Sequence, residues 1–491
     1  MDVGSGLAPV EFRGFLGQYA LLKILGSQYL VGVITRIGGQ VTAFLLVLVA
    51  SRHLDLTEFG TYALAWAIIV IANTHVFSGL YHAVLRLDDV TDKADTLFWM
   101  ILAVGGIGAA VSAGIGYLVG GLDNPIGFAL ISMSPIPVLF TLTAWNEALL
   151  VQAGRIRGAT VYVFASELVG FGVALYGFSA GFGMFSLILS RLVWALTGLL
   201  ITAGLVRRLP RLRFDGVVAR ASLRAALPIW GSVNVTMFSN YGGDLVLAAF
   251  LNPGAVGAYR GGARIANTAG DVLLQPLTMM SWSRFARLEA SGDQNLIRRA
   301  WVENMAVSNA LVWPLLGGVT LMAPAIVATL FDAKWGAAAG VVAILSMARA
   351  FLSIGNLLEP TMVCLERSKL QLYIRVAGAA LMLAFLLLFG RFSGEAAAYA
   401  VLLANIAIGV ASLVAMVRIL SLTRADLSHS FVPAGFITLA CTATILAMAP
   451  IRDSLSIALG LAATVGVVFV VWVAMLAFCL IRGILVLPTA R

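Results

Sequence analysis

The chain has 491 residues, of which 60% are hydrophobic and 11% are charged, and its net charge is +9. A soluble domain carries about a quarter of its residues as charged side chains, so this composition excludes an ordinary water-soluble protein. The three cysteines have neither zinc-like spacing nor the pattern of a disulfide framework, and the sequence predicts no metal site and no cofactor.

Apolar runs recur along the chain, each long enough to cross about 30 Å of hydrocarbon. Backbone polar groups find no partners in lipid, so such runs must be helices. We predict an all-α polytopic membrane protein of about fourteen transmembrane helices, with Pro314 and Pro324 interrupting the ninth. The predicted spans are residues 28–50, 59–84, 96–118, 125–151, 158–178, 183–206, 226–250, 256–280, 301–330, 338–363, 371–389, 397–418, 431–449 and 455–480.

The basic residues between these spans are distributed unequally. Twenty-two of the 32 Lys and Arg residues fall on the side of the N-terminus, four fall on the opposite side and six fall inside spans. Cytoplasmic loops carry such an excess, so both termini are predicted to be cytoplasmic. The positive charge then faces anionic membrane lipids, and no nucleic-acid partner is expected.

A short motif recurs at two turns on the predicted outer side. Leu, Gly and Tyr have the same spacing in LDLTEFGTY, residues 54–62, and in LNPGAVGAY, residues 251–259. A second motif recurs on the inner side as an acid followed at the eighth and tenth positions by basic residues. Its members are Glu147, Arg155 and Arg157 in the first half, and Glu359, Arg367 and Lys369 in the second.

Both motifs repeat six helices apart, and an even shift preserves orientation across the membrane. This indicates two six-helix lobes in parallel repeat, followed by two C-terminal helices. We place the N-terminal lobe at residues 1–206 and a basic cytoplasmic linker at 207–225. The C-terminal lobe follows at residues 226–419, and the last two helices lie in 420–491.

The 6+6 arrangement, the turn LDLTEFGTY, and the stretches LNPGAVGAYRGGARI and FDAKWGAAAGVVAIL together resemble the polysaccharide transporter branch of the multidrug/oligosaccharidyl-lipid/polysaccharide exporter superfamily. Its best-known members are Wzx-type flippases. The resemblance implies an undecaprenyl-diphosphate-linked oligosaccharide moved from the cytoplasmic to the periplasmic leaflet of a bacterial inner membrane. It also implies a polysaccharide polymerase and export machinery as partners.

Other functions of the same class stay open. A peptidoglycan-precursor flippase or a small-molecule exporter would share the fold. A polysaccharide polymerase is a weaker candidate, because the short outer connections leave no room for a catalytic domain. No Walker loop, HExxH or complete GxSxG site occurs, so the sequence does not predict an enzyme.

Polar side chains inside the spans are the candidate binding residues. On the eighth predicted helix they step by three or four residues, which keeps them on one face for about 20 Å. Arginine offers a planar fork of donors that matches phosphate oxygens. We therefore predict a diphosphate site that contains Arg36, Gln40, Arg260, Arg264, Asn267 and Arg349.

A structural interpretation competes with this one. The intramembrane arginines could pair with Asp244, Asp271, Glu167 or Glu359 and only fix helix positions. Asp244 and Asp271 are accordingly predicted either as coupling sites for a proton or cation or as counter-ions.

Glu147 and Glu359 lie near the predicted cytoplasmic mouth. Salt bridges to basic residues of the facing lobe would make them an inner gate, and anchoring at the membrane interface is the alternative. The basic members of that gate would be Arg155, Arg157, Arg367 and Lys369.

Overall fold

A computed structural model describes residues 28–85, 92–289 and 293–486 of the chain, and these residues are helical apart from short connections. We number the helices α1 (Gln28–His53), α2 (Leu56–Val76), α3 (Leu80–Leu85), α4 (Asp92–Leu118), α5 (Pro125–Met133), α6 (Ile136–Gln152), α7 (Ile156–Ser179), α8 (Phe185–Val206), α9 (Gly216–Phe250), α10 (Pro253–Glu289), α11 (Gln294–Leu330), α12 (Ala337–Ser353), α13 (Leu358–Cys364), α14 (Ser368–Phe389), α15 (Gly394–Ile419), α16 (Arg424–Ala447), α17 (Ala449–Ser454) and α18 (Ile457–Ile481). One-turn 3-10 helices occur at Gly121–Asp123 and Ala333–Trp335.

Within the described ranges, eleven helical segments are long and apolar enough to cross a membrane. The prediction of an all-α membrane protein is therefore confirmed. The three remaining predicted spans, residues 28–50, 226–250 and 256–280, fall on α1, α9 and α10, each of which is a long helix. The total of fourteen spans stays a prediction.

Several predicted helices differ in continuity from the structure. The second, fourth and tenth spans were expected to be continuous, but each is broken, so that α2 and α3, α5 and α6, and α12 and α13 form pairs. Conversely, α11 runs through Pro314 and Pro324 without ending. Neighbouring helices and side chains can satisfy the carbonyl groups that proline frees, which is why proline is tolerated inside membrane helices.

The helices group into two compact units. The first unit comprises residues 28–46, 69–123 and 130–230 among those described. Its helix α6 packs against α4 and α8, and α7 packs along α8. Trp145 on α6 is buried with Leu97 and Ile101 of α4, and these side chains form the core of the unit.

Among the described residues, the second unit comprises 47–68, 124–129, 231–289 and 293–486. Helix α12 packs against α10, α11 and α15, and α11 also packs along α16. Residues 47–68, which the predicted lobes assign to the N-terminal half, belong to this unit. The outer turn between α1 and α2 is thus packed with helices of the C-terminal half.

The predicted linker, residues 207–225, has a non-helical part followed by a helical part. Residues 207–215 are not helical, and α9 begins at Gly216. The indole of Trp99 donates to the Arg211 carbonyl at 3.0 Å, and the Asp215 amide donates to the Thr96 hydroxyl at 3.0 Å. These bonds fix the non-helical part to the start of α4.

Candidate functional site

Helix α10 carries the predicted row of polar side chains, and Arg260 near its N-terminal end is paired. A guanidinium nitrogen of Arg260 lies 2.9 Å from Oδ2 of Asp244 on α9, whose side chain is only 2% exposed. Neither carboxylate oxygen of Asp244 makes a hydrogen bond to the described residues, so charge attraction holds the pair together. The guanidinium also stacks over the ring of Tyr241 at 4.5 Å, which orients its plane.

Two further polar contacts join α10 to the α12–α13 region. Arg349 on α12 forms an ion pair with Asp271, and the Thr278 hydroxyl donates to the Asn356 side-chain oxygen at 2.9 Å. Asn356 lies in the break between α12 and α13, whereas the sequence predicts a continuous tenth span at this position. The contacts lie seven residues apart on α10, and therefore share one face of that helix.

Each acid named as a potential counter-ion has an arginine partner. Besides the two pairs on α10, Glu167 lies 3.3 Å from Arg191, and Glu359 pairs with Arg375. The pairing compensates charge that would be expensive in lipid. It leaves Arg260 and Arg349 with 23% and 21% of their side chains exposed, respectively. Pairing and ligand contact are therefore compatible.

The other predicted binding residues vary in exposure. Arg264 is half-buried on α10, and Asn267 is exposed on the same helix. Gln40 is exposed on α1. The side chain of Arg36 lies outside the described residues. For all of these residues, substrate binding stays a prediction.

The inner motif has the same backbone in both halves. Gly154 and Glu366 occupy equivalent positions after α6 and α13, with φ of 70° and 56°. The amides of Arg155 and Arg367 each donate to the carbonyl five residues earlier, both at 2.8 Å. This bond and the left-handed residue before it define a Schellman motif, which ends each helix the same way.

The acids of the inner motif bind partners within their own units. Glu147 accepts hydrogen bonds from Tyr81 at 2.9 Å and from Tyr162, and Glu359 pairs with Arg375. In both cases a partner lies on the helix that follows the turn. The four basic residues of the motif, Arg155, Arg157, Arg367 and Lys369, are exposed. Each acid thus links consecutive helices here, and the inner gate stays a prediction.

The outer motif also repeats in detail. Asp55 caps the start of α2 by accepting from the Glu58 amide at 2.7 Å, and Asn252 caps α10 by accepting from the Ala255 amide at 2.9 Å. A side-chain oxygen at this position satisfies an amide that lacks a helical partner. The repeated spacing of Leu, Gly and Tyr therefore marks two equivalent capped turns.

Sequence reasoning missed several residues of the site. Tyr241, Tyr81 and Tyr162 contact the charged groups described above, yet nothing in their spacing indicated these contacts. Thr278 was missed although it stands seven residues after Asp271 and so lies on the same face of α10. The sequence alone shows that spacing.

The fold resembles those of solved membrane transporters. The chain superposes on the lipid II flippase MurJ in an inward closed conformation with a TM-score of 0.75, 10% identity, and coverage of 91% of this chain and 98% of that one. An inward-facing multidrug resistance MATE transporter gives a TM-score of 0.60 at 14% identity, with coverage of 78% and 94%. These likenesses define the fold.

The family model described as "Polysaccharide biosynthesis protein" matches residues 49–340, more than half of the chain. The chain therefore belongs to that family, as its sequence resemblance implied. It is also 24% identical over 327 residues to the succinoglycan biosynthesis transport protein ExoT of Rhizobium meliloti (strain 1021). That match spans 65% of each protein, just under two thirds of the relative's length.

Proposed function

We propose that the chain flips an undecaprenyl-diphosphate-linked oligosaccharide from the cytoplasmic to the periplasmic leaflet of a bacterial inner membrane by alternating access of two lobes. Both termini would be cytoplasmic, and the product would feed a polysaccharide polymerase and export machinery. Family membership and the likeness to a succinoglycan transport protein support polysaccharide synthesis as the setting. The superfamily fold supports a carrier mechanism.

The arginines of α10 and α12 are the observation that carries the proposal. Arg260, Arg264 and Arg349 lie on two packed helices, and none of the three side chains is fully buried. Cationic guanidinium groups that stay accessible favour an anionic ligand. Because 23% of the Arg260 side chain stays exposed beside Asp244, this arginine can still donate to diphosphate oxygens.

The membrane potential would assist outward movement of such a substrate. A diphosphate of two negative charges that moves from a negative interior to the outside gains about 4–5 kcal/mol per 100 mV if both charges cross the field. Asp244 or Asp271 could in addition bind a proton or cation during the return step. Bound cations that neutralise the diphosphate would reduce the contribution of the potential.

Deletion of the gene tests the proposal. Lipid-linked oligosaccharide should accumulate on the cytoplasmic side, and the wild-type gene should restore its translocation. Arg264→Ala should not restore it, whereas Arg391→Ala, which changes an arginine predicted to lie outside the membrane, should. Accumulation of a peptidoglycan precursor instead would identify the alternative flippase, and absence of any accumulated lipid-linked saccharide would refute both.

A further inference from the structure

The repeated outer turns touch each other through their glycines. A Cβ atom at Gly60 on α2 would lie 1.8 Å from the Pro253 carbonyl oxygen, and one at Gly257 on α10 would lie 2.1 Å from the Leu56 carbonyl oxygen. No side chain fits at either distance. Only glycine lets the two backbones approach this closely.

The contact is reciprocal. Leu56 and Pro253 are the first residues of α2 and α10, and Gly60 and Gly257 each stand four residues further on. The glycine of each repeat therefore packs on the first carbonyl of the other. Elements related by a twofold axis meet in this reciprocal way. In lipid, close packing of small residues is a main source of attraction between helices.

A third segment binds the C-terminal end of α1 beside the contact between Gly60 and Gly257. The indole of Trp335, in the one-turn helix between α11 and α12, donates to the Ser51 carbonyl at 2.9 Å and is fully buried. Its ring packs edge-on against Phe59 of α2 at 5.1 Å. Lys334 donates to the Arg52 carbonyl at 3.3 Å. Carbonyls in the last turn of α1, which lack helical partners, are thereby satisfied.

We propose that Gly60, Gly257 and Trp335 form an outer latch, which holds the predicted outer end of the carrier closed and must separate before cargo leaves on that side. The inference rests on the alternating access of the proposed function and adds the residues that control it. The glycine contact is backbone against backbone and contains no ion pair. It can therefore open and re-form without the cost of stripping water from a charge.

A reversible cross-link gives the first test. A Cβ at Gly254 would lie 4.0 Å from Cβ of Leu56, a separation suited to a disulfide. In the double variant Leu56→Cys, Gly254→Cys, oxidation should join α2 to α10 and stop translocation, and a reductant should restore it. The native cysteines are buried and should not interfere. Each single variant, given the same oxidant, is the control.

Two results of the cross-linking experiment would overturn the latch. Unchanged translocation by the cross-linked protein would show that α2 and α10 stay in contact throughout transport. Failure of the disulfide to form would contradict the geometry itself.

A second test does not depend on the cargo. Asn267 is exposed on α10, about 15 Å along the helix from Gly257. In an Asn267→Cys background, Gly60→Ala and Gly257→Ala should each raise the rate of labelling by an impermeant thiol reagent from the outer side about tenfold, because the closed state loses population. Trp335→Phe should raise it less. Gly106→Ala is the matched control, since nothing lies within 4 Å of a Cβ there.

Unchanged labelling in both outer glycine variants would refute the latch. If these variants do not accumulate in the membrane, translocation by the cross-linked Leu56→Cys, Gly254→Cys protein becomes the test of the latch. If the latch variants change labelling but the unsubstituted protein moves no lipid-linked oligosaccharide, the latch stands and the proposed function fails.

Discussion

The two inner turns share a backbone but differ in chemistry. After α6 and α13 the chain forms the same backbone hydrogen bonds and has a left-handed residue at the same position. Yet Glu147 is held by two phenol hydroxyls, whereas Glu359 is 41% exposed and holds an arginine. The two turns thus have the same geometry, whereas the partners of the acid differ. Equivalent positions in the repeats therefore need separate tests, because their energetics differ.

The largest expected contrast lies between a buried and an exposed ion pair. Arg260→Ala leaves Asp244 buried without its partner, and should lower the free energy of unfolding by about 3–5 kcal/mol. Arg375→Ala breaks a pair that is nearly half exposed, and should cost at most about 1 kcal/mol. Denaturant titration in detergent micelles measures both values.

Two variants control this experiment. Arg260→Lys retains the charge and should retain most of the stability. The double variant Arg260→Ala, Asp244→Ala should recover part of the loss, because the isolated carboxylate is removed. Equal losses in the two arginine variants would mean that burial does not distinguish the pairs.

A smaller contrast separates the two acids of the inner motif. Glu147→Ala removes the acceptor of the Tyr81 and Tyr162 hydroxyls, and should destabilise the protein by about 1–3 kcal/mol. Glu147→Gln keeps an acceptor oxygen and should cost less. Glu359→Ala, made in an exposed pair, should cost less than about 1 kcal/mol. Thermal unfolding of the purified variants tests the order, and a greater loss at Glu359 would reverse the comparison.

The smallest contrast concerns the left-handed residues of the two turns. Gly154→Ala should cost about 1 kcal/mol, because alanine is strained at a φ of 70° and gains no contact within 4 Å. Glu366→Gly should be neutral or stabilise the protein by up to about 1 kcal/mol, since it relieves the same strain at a φ of 56°. Opposite signs at equivalent positions are the measurable signature. Losses in both variants would show that Glu366 makes a compensating contact.

Much of the fold follows from local sequence. The length and apolar character of each run predict a helix, because a single segment in lipid satisfies its own backbone hydrogen bonds only as a helix. The ends of α8 and α14 agree with prediction within a few residues. The breaks near Pro135 and Asn356, and the continuity of α11 through two prolines, did not follow. They depend on which neighbouring side chains and helices form hydrogen bonds with the backbone groups that have lost their helical partners. The sequence of one segment does not specify those neighbours.

The candidate site likewise has features that the sequence predicts and features that it does not. Sequence identified Arg260, Arg264 and Arg349 as charged groups inside spans, because charge in lipid is expensive enough to stand out. It could not choose which acid pairs with which arginine. That choice depends on how helices far apart in the chain pack against each other.

By itself, the sequence determined an all-helical membrane protein and the equal spacing of Leu, Gly and Tyr at two turns. Only the tertiary structure decided that these turns meet, with Gly60 against Pro253 and Gly257 against Leu56. The reason is physical. Helix formation and turn capping depend on neighbours within a few residues, whereas a contact between backbones nearly two hundred residues apart is fixed by the packing of every helix between them.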